Sequence, residues 1–92
     1  MDFEWDKNKA ERNFNKHGIL FEEATTVFAD LFSITIPDPL HSKDEDRFII
    51  TGVSHKQRQL IVVYVERENS IRIISARIAT SSERKKYEQG RE

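Results

Sequence analysis

Hydrophobic residues recur with two different periods along this chain, and the change of period divides it into two parts. Phe21, Ala24, Phe28 and Leu31 are spaced three and four residues apart, which places their side chains on one face of a helix that can pack into a core. After residue 31 apolar and polar positions alternate, and this period of two is typical of β-strands that bury one face. The pattern therefore predicts helices first and a sheet after them.

A helix is also predicted before this stripe, because both of its ends carry capping residues. Asp6 can accept hydrogen bonds from the unpaired amides of a first helical turn, and Gly18 stands where a left-handed residue ends a helix. We expect this helix to run from about residue 6 to residue 16. Residues 2–5 are expected to form a short strand or an extended lead-in.

Four strands and a last helix are predicted beyond the stripe. The first strand covers residues 32–36 and must end at Pro37, because proline lacks the backbone donor that a sheet needs. Thr80 and Glu83 have the spacing of a capping box at the start of a helix over 81–88. The other three strands, joined by short connections into an antiparallel meander, are expected at 47–54, 60–67 and 70–78.

These elements predict an α+β fold of one domain over residues 1–92. Two long N-terminal helices are expected to pack on one face of a mainly antiparallel four-stranded sheet, which leaves the other face partly open, and a short helix closes the chain. A chain of 92 residues is long enough for a single hydrophobic core.

The composition argues against several classes of protein. Without cysteine the chain can form neither disulfides nor thiolate metal sites. It has three glycines and no phosphate-binding loop, so no nucleotide cofactor is expected. His17, His41 and His55 lack the spacing of a metal site, and no metal is expected. No apolar run could cross a membrane and residues 1–4 resemble no secretion signal, so we expect a soluble, cytoplasmic protein without membrane contacts.

The charges are distributed unevenly. Residues 1–46 contain 5 Lys/Arg and 11 Asp/Glu, whereas residues 47–92 contain 10 and 5. Seven of those ten cations are arginine, whose planar guanidinium suits phosphate or carboxylate. Arg72 and Arg77 lie within the last predicted strand, where simple alternation assigns them to opposite faces. Each arginine needs an anion, which is either a carboxylate of the same chain or a bound ligand.

Cleavage of single-stranded RNA is one reaction that such residues can support without a metal. The 2′-OH beside the scissile phosphate is the nucleophile, so the protein needs a base, an acid and a cation that stabilises the phosphorane. The candidates for proton transfer are Lys16, His17, His41, Glu45 and Tyr64. The candidates for holding the phosphate are Arg47, Arg67, Arg72 and Arg77.

A series of short motifs, in this order, resembles the BrnT toxin family over nearly the full length. The motifs are Phe3-Glu4-Trp5-Asp6, Lys16-His17-Gly18-Ile19, Phe21-Glu22-Glu23-Ala24, Asp38, His41-Ser42, Glu45-Asp46-Arg47, Gly52-Val53-Ser54, Arg58, Glu66-Arg67, Arg72-Ile73-Ile74-Ser75-Ala76-Arg77 and Glu83-Arg84-Lys85-Lys86-Tyr87-Glu88. No single motif is specific, but their order and spacing are specific together.

The resemblance implies a RelE-like fold and a ribonuclease toxin of a type II toxin–antitoxin pair that cuts RNA and so blocks translation. It implies a BrnA-like antitoxin as partner, through which alone the pair contacts DNA. Arg77 is the first choice for the scissile phosphate, because it precedes a helix N-terminus that favours anions. Carried over by motif, the catalytic candidates are Lys16, His17, His41, Glu45, Arg47, Arg67, Arg72 and Arg77, and the substrate-binding candidates are Arg58, Arg84 and Tyr87.

Two other interpretations remain open. The same arginines fit a non-catalytic binding module that holds an acidic protein partner, and RNA cleavage by the purified protein would distinguish the two. A nucleic-acid-binding regulator is a further alternative, although the last predicted helix is short for a recognition helix.

Overall fold

The computed structural model describes residues 2–40 and 45–90, so His41 lies outside the described residues. Most of the predicted elements are present, some with shifted ends. The elements, in chain order, are β1 (Asp2–Glu4), α1 (Lys7–His17), α2 (Phe21–Thr26), a 3₁₀ turn (Val27–Ala29), β2 (Ile34–Pro37), β3 (Arg47–Val53), β4 (Gln59–Arg67), β5 (Ser70–Ile78) and α3 (Ser81–Gly90). None of the helices described is long and apolar enough to cross a membrane.

The sheet has five strands in the order β1-β5-β4-β3-β2. Strands β2 to β5 form the predicted antiparallel meander. The expectation of four strands is wrong, because β1 adds a fifth strand that pairs parallel with β5, from Asp2 opposite Ser70 to Glu4 opposite Arg72. Three alternating residues were too short a pattern to predict this pairing.

Both predicted caps of α1 are present. The Asp6 carboxylate accepts hydrogen bonds from the backbone N–H groups of Asn8 and Lys9, at 2.8 and 3.1 Å. Gly18 has a φ of 71°, and its N–H donates to the carbonyl of Phe14. These caps fix the length of α1 and the direction in which the chain leaves it.

The second helix is much shorter than predicted. It ends at Thr26, where the Thr25 and Thr26 hydroxyls donate to the carbonyl oxygens of the residues three positions earlier, a bonding mode that competes with helix continuation. Val27 then becomes the buried residue of the 3₁₀ turn. Leu31, the last member of the predicted stripe, is 95% exposed.

The core lies between the helices and one face of the sheet. Phe21, Ala24 and Val27 are fully buried against this face. An aromatic chain extends the core, since Phe28 contacts Phe3 and Tyr64 with ring centroids 5.1 and 5.0 Å apart. The sheet residues of the core are Ile50, Leu60, Val62, Tyr64, Ile71, Ile73 and Ala76.

Asn13 attaches α1 to the edge of β5. Its side-chain Nδ2 donates to the carbonyl oxygens of Ile19 and Ala76, at 3.0 and 2.9 Å, and its Oδ1 accepts the backbone N–H of Ala76 at 3.0 Å. The amide therefore satisfies both backbone groups of Ala76, beyond the point where β1 ends. A buried polar residue thus fixes the position of α1 against the sheet.

Candidate functional site

The face of the sheet that points away from α1 and α2, here called the open face, carries the arginines of the strands. Cross-strand neighbours on this face form three rows over β3, β4 and β5. The rows are Arg47–Val65–Arg72, Ile49–Val63–Ser75 and Thr51–Ile61–Arg77. Arginines therefore flank an apolar strip, and the burial of Val65 at 4% exposure provides a region of low polarity beside two guanidinium groups.

A β-bulge brings Arg72 and Arg77 onto the same face. In the pairing of β4 with β5, Tyr64 lies opposite Ile73 and Val63 lies opposite Ser75, so Ile74 is an extra residue in β5. One extra residue reverses the alternation after it. The assignment of the two arginines to opposite faces was therefore wrong, and both belong to the open face.

Arg67 and Arg72 share a carboxylate at one end of the open face. Glu4 of β1 lies opposite Arg72 in the parallel pair. Its Oε1 is 3.8 Å from Arg67 Nε and 3.9 Å from Arg72 Nη1. Such long contacts between partly exposed groups contribute little to stability, so both guanidinium groups can exchange Glu4 for another anion.

Arg47 has a closer carboxylate neighbour. Its Nη2 and Nε donate to Glu45 Oε1, at 2.7 and 3.2 Å. This contact brings two predicted catalytic residues together at the start of β3, in the same cross-strand row as Arg72.

Arg77 forms a two-point ion pair with Glu83 at the start of α3. Its Nη1 and Nη2 donate to the two carboxylate oxygens at 2.8 and 2.9 Å. Glu83 also completes the predicted capping box, accepting the Thr80 N–H at 2.8 Å. The Arg77 hydrogen bonds, opposed by partial burial and assisted by Thr80, lower the pKa of Glu83 to about 2. The assignment of Arg77 to the scissile phosphate stays a prediction, and this guanidinium already has an anion.

Replacing Arg77 with alanine should weaken the acid dependence of stability. The folded-state pKa of Glu83 lies below its ordinary value, so its contribution is present above about pH 4.5 and is lost as the pH falls towards 2. Without Arg77 the pKa of Glu83 rises, and unfolding should take up fewer protons, by at most about one. The urea midpoint measured across this pH range tests this. In the control Arg84→Ala, on the same helix, the urea midpoint should change with pH as it does in wild type. The same dependence of the midpoint on pH in Arg77→Ala would contradict the interpretation.

Arg58 lies away from the open face, in an ion pair with the buried Glu23. Its Nε donates to Glu23 Oε2 at 2.9 Å, its Nη2 donates to Oε1, and the Ser54 hydroxyl donates to Oε2 at 2.6 Å. The Arg58 hydrogen bonds, opposed by burial and assisted by Ser54, lower the pKa of Glu23. Its predicted contact with substrate remains untested, and the structure gives Arg58 a role in holding the β3–β4 turn to α2.

The remaining candidates are dispersed. Lys16 and His17 line a depression beside Ser75, at the bulged edge of β5. Arg84 is exposed on α3. Tyr87 is buried, and its hydroxyl donates to Asp30 Oδ2 at 2.5 Å. Tyr64 packs on the helix side of the sheet, where burial raises its pKa, so it does not belong to the open face.

Helix α3 covers one end of the open face. It leaves a cavity of about 330 Å³ over Ile34, Ile36, Ile49 and Ile61, with Arg77 and Lys86 in its wall. The opposite end, with Arg47, Arg67 and Arg72, is absent from this lining. The open face is therefore divided into an apolar part under α3 and a cationic part beside β1.

Known proteins resemble this chain both in sequence and in fold. A family model described as the ribonuclease toxin BrnT of type II toxin–antitoxin systems matches residues 5–83. The chain belongs to the BrnT family. Membership implies an antitoxin partner, and the motif resemblance noted in the sequence is confirmed. No protein with a curated description matches the chain.

A BrnT structure supports the fold. The crystal structure of the ribonuclease toxin BrnT from Brucella abortus superposes with a TM-score of 0.70, covering 88% of this chain and 99% of that one at 23% sequence identity. At this identity the similarity shows a shared α+β fold with three helices and a mixed five-stranded sheet.

Sequence reasoning missed two residues that shape the open face. Glu4 is the shared anion of Arg67 and Arg72, and nothing in the local pattern indicated that β1 would join the sheet. Ser75 lies between Arg72 and Arg77 on the open face, and only the bulge reveals this. The burial of Glu23 had no signal in the apolar stripe, because Glu22 and Glu23 both lie between Phe21 and Ala24 and only the structure shows that Glu22 is exposed and Glu23 buried.

Proposed function

We propose that this BrnT-family chain is an endoribonuclease that cuts RNA without a metal and so inhibits translation in the cytoplasm. The observation that carries the proposal is the bulge in β5, because it brings Arg72 onto the face that also holds Arg47, Arg67 and Arg77. A BrnA-like antitoxin would neutralise the enzyme and would carry the only DNA contacts of the pair.

The proposed reaction uses the 2′-OH of the substrate as nucleophile. A base takes the 2′ proton, the 2′ oxygen attacks the phosphorus, and the 5′ oxygen leaves with a proton from an acid, so the products are a 2′,3′-cyclic phosphate and a 5′-OH end. Arg72 and Arg67 hold the phosphate and stabilise the charge of the phosphorane, because their contacts to Glu4 are long. The candidates for the base and the acid are Lys16, His17, His41 and Glu45.

The proposed function is tested with RNA and purified protein in EDTA. We expect internal cleavage that leaves cyclic phosphate ends, and we expect RNA with 2′-O-methyl groups throughout to remain intact, because it lacks the nucleophile. The rate should fall between about 50 and 200 mM salt, since phosphate contacts release counterions. Cleavage that requires added Mg²⁺ would contradict the metal-free mechanism. Intact RNA under all conditions, with capture of an acidic protein instead, would favour the non-catalytic binding module.

A further inference from the structure

Helix α1 carries three cations that form no ion pair with the carboxylates of the described residues. Lys9, Arg12 and Lys16 are spaced three and four residues apart within α1, so they form a stripe on one face of the helix. Within residues 2–40 and 45–90, none of the three takes part in an ion pair. The neighbouring Asp6 carboxylate bonds to the backbone N–H of Lys9.

The arginines of the sheet and its turn differ in this respect. Each of Arg47, Arg58, Arg67, Arg72 and Arg77 lies within ion-pair distance of a carboxylate. A cation that already has a carboxylate must give it up before it can hold a phosphate. In the part of the chain that the structure describes, no carboxylate lies within ion-pair distance of the α1 stripe, and Asp6 interacts with Lys9 only at longer range. The stripe can therefore bind an anion at a lower desolvation cost.

The stripe lines a depression that connects with the open face. Lys9, Arg12 and Lys16, with His17, form one wall of a hollow of about 310 Å³, and Ile74 and Ser75 form the other. Ser75 also belongs to the open face, where it lies between Arg72 and Arg77 along β5. Ser75 is therefore common to the open face and to the hollow that the stripe lines.

The stripe is held in place and is directed away from the acidic residue of α1. The Asn13 hydrogen bonds to Ala76 fix the helix against β5. Glu11 lines a different groove, with Trp5 and Lys7, on another side of α1. The helix that carries the stripe is therefore held against β5, next to Ser75.

We propose that Lys9, Arg12 and Lys16 form a second phosphate-binding subsite, which holds the RNA strand where it passes over the edge of β5. This inference rests on the proposed ribonuclease function. From Lys9 to Lys16 the stripe extends for about 10 Å along the helix axis, enough to reach more than one phosphate of a single strand. The wall of the depression offers one apolar side chain, Ile74, which suits a sugar-phosphate backbone better than an amphipathic protein segment.

The test compares two double variants of equal charge change. The stripe variant, Lys9→Gln/Arg12→Gln, removes two members of the stripe. The control variant, Lys7→Gln/Lys56→Gln, removes two exposed lysines that do not belong to the stripe. Binding of a short 2′-O-methyl RNA is measured by fluorescence anisotropy between about 50 and 200 mM salt. We expect the stripe variant to bind about tenfold more weakly at low salt, with the magnitude of the salt slope reduced by about 1.4, or about 0.7 for each lost contact to a single strand. The control variant should stay within about twofold of wild type.

Cleavage kinetics provide the second measurement. If the stripe is a subsite remote from the scissile bond, its loss in the stripe variant should raise KM by about tenfold and leave kcat within about twofold of wild type. Equal RNA binding by the stripe variant and wild type, or an equal loss in both variants, would overturn the subsite while cleavage by wild type upholds the proposed function. Stripe-dependent binding of poly-glutamate without RNA binding would overturn it in favour of a protein partner. If wild type neither binds nor cuts RNA, the proposed function fails as well.

Discussion

RNA cleavage should fall by about a hundredfold or more in kcat when Arg72 is replaced by alanine, because removal of a preorganised donor to a developing oxyanion typically has an effect of this size. Arg72 lies in the same row as Arg47, beside the buried Val65. An apolar neighbour strengthens the attraction between a guanidinium and the dianionic phosphorane. Single-turnover cleavage of RNA in EDTA measures the effect without interference from product release.

Two further variants test whether the loss of activity is caused by the loss of the Arg72 guanidinium. Arg72→Lys keeps the charge but loses the planar pair of donors, so activity should lie between those of wild type and the alanine variant. Lys56→Ala, on the exposed β3–β4 turn, should cut RNA at the wild-type rate. If Arg72→Ala keeps the wild-type kcat while it remains folded by circular dichroism, Arg72 does not hold the scissile phosphate.

Replacing Arg58 with alanine should lower the free energy of unfolding by about 3 kcal/mol or more, because it leaves the buried Glu23 charge without its partner. Glu23 is 2% exposed, but the Arg58 side chain is 37% exposed, so water partly replaces the guanidinium and the loss lies at the lower end of the range for a buried pair. For a domain of this size the loss corresponds to a fall in Tm of about 12 °C or more. Urea unfolding at neutral pH measures the free energy, and thermal unfolding gives the Tm.

The pH dependence of this effect identifies its cause. With Arg58 present the pKa of Glu23 is lowered, so the pair stabilises the fold above the ordinary glutamate pKa and less so as the pH falls below it. The difference in free energy of unfolding between wild type and Arg58→Ala should therefore become smaller in acid, where Glu23 becomes protonated. Glu23→Gln/Arg58→Met, which removes both charges, should be less destabilised than Arg58→Ala.

The cleavage rate of Arg58→Ala shows whether Arg58 only stabilises the fold or also contacts the substrate, as predicted from the sequence. Well below its Tm, Arg58→Ala should cut RNA at a rate close to that of wild type. A loss of activity without a loss of stability would instead return Arg58 to the substrate-binding residues.

The elements with strong local signals were predictable from the sequence. The bounds of β5 were predicted correctly at 70–78, and the caps of α1 and the capping box of α3 are present. Each of these depends on residues that are close together in the chain. The end of α2 was not predictable from the apolar stripe, because the hydroxyls of Thr25 and Thr26 compete for helical carbonyls and the stripe carries no information about them.

The composition of the open face depended on pairings between distant segments. Alternation assigned Arg72 and Arg77 to opposite faces, and one extra residue in β5 reversed this. Glu4 joined the face because β1 pairs parallel with β5, some 68 residues away along the chain. The types of residue at the site were therefore predictable, whereas their grouping and their carboxylate partners required the register of the strands.

The attachment of Asn13 to Ala76 also has a consequence for association between molecules. Exposed strand edges allow chains to stack edge to edge into aggregates, and proteins commonly block them. Here a side-chain amide occupies the N–H and C=O of Ala76, so an incoming strand finds no matching donor and acceptor at that position. Loss of this amide would leave the N–H and C=O of Ala76 open to pairing with a strand of another molecule, so an Asn13→Ala variant should associate more readily at high concentration.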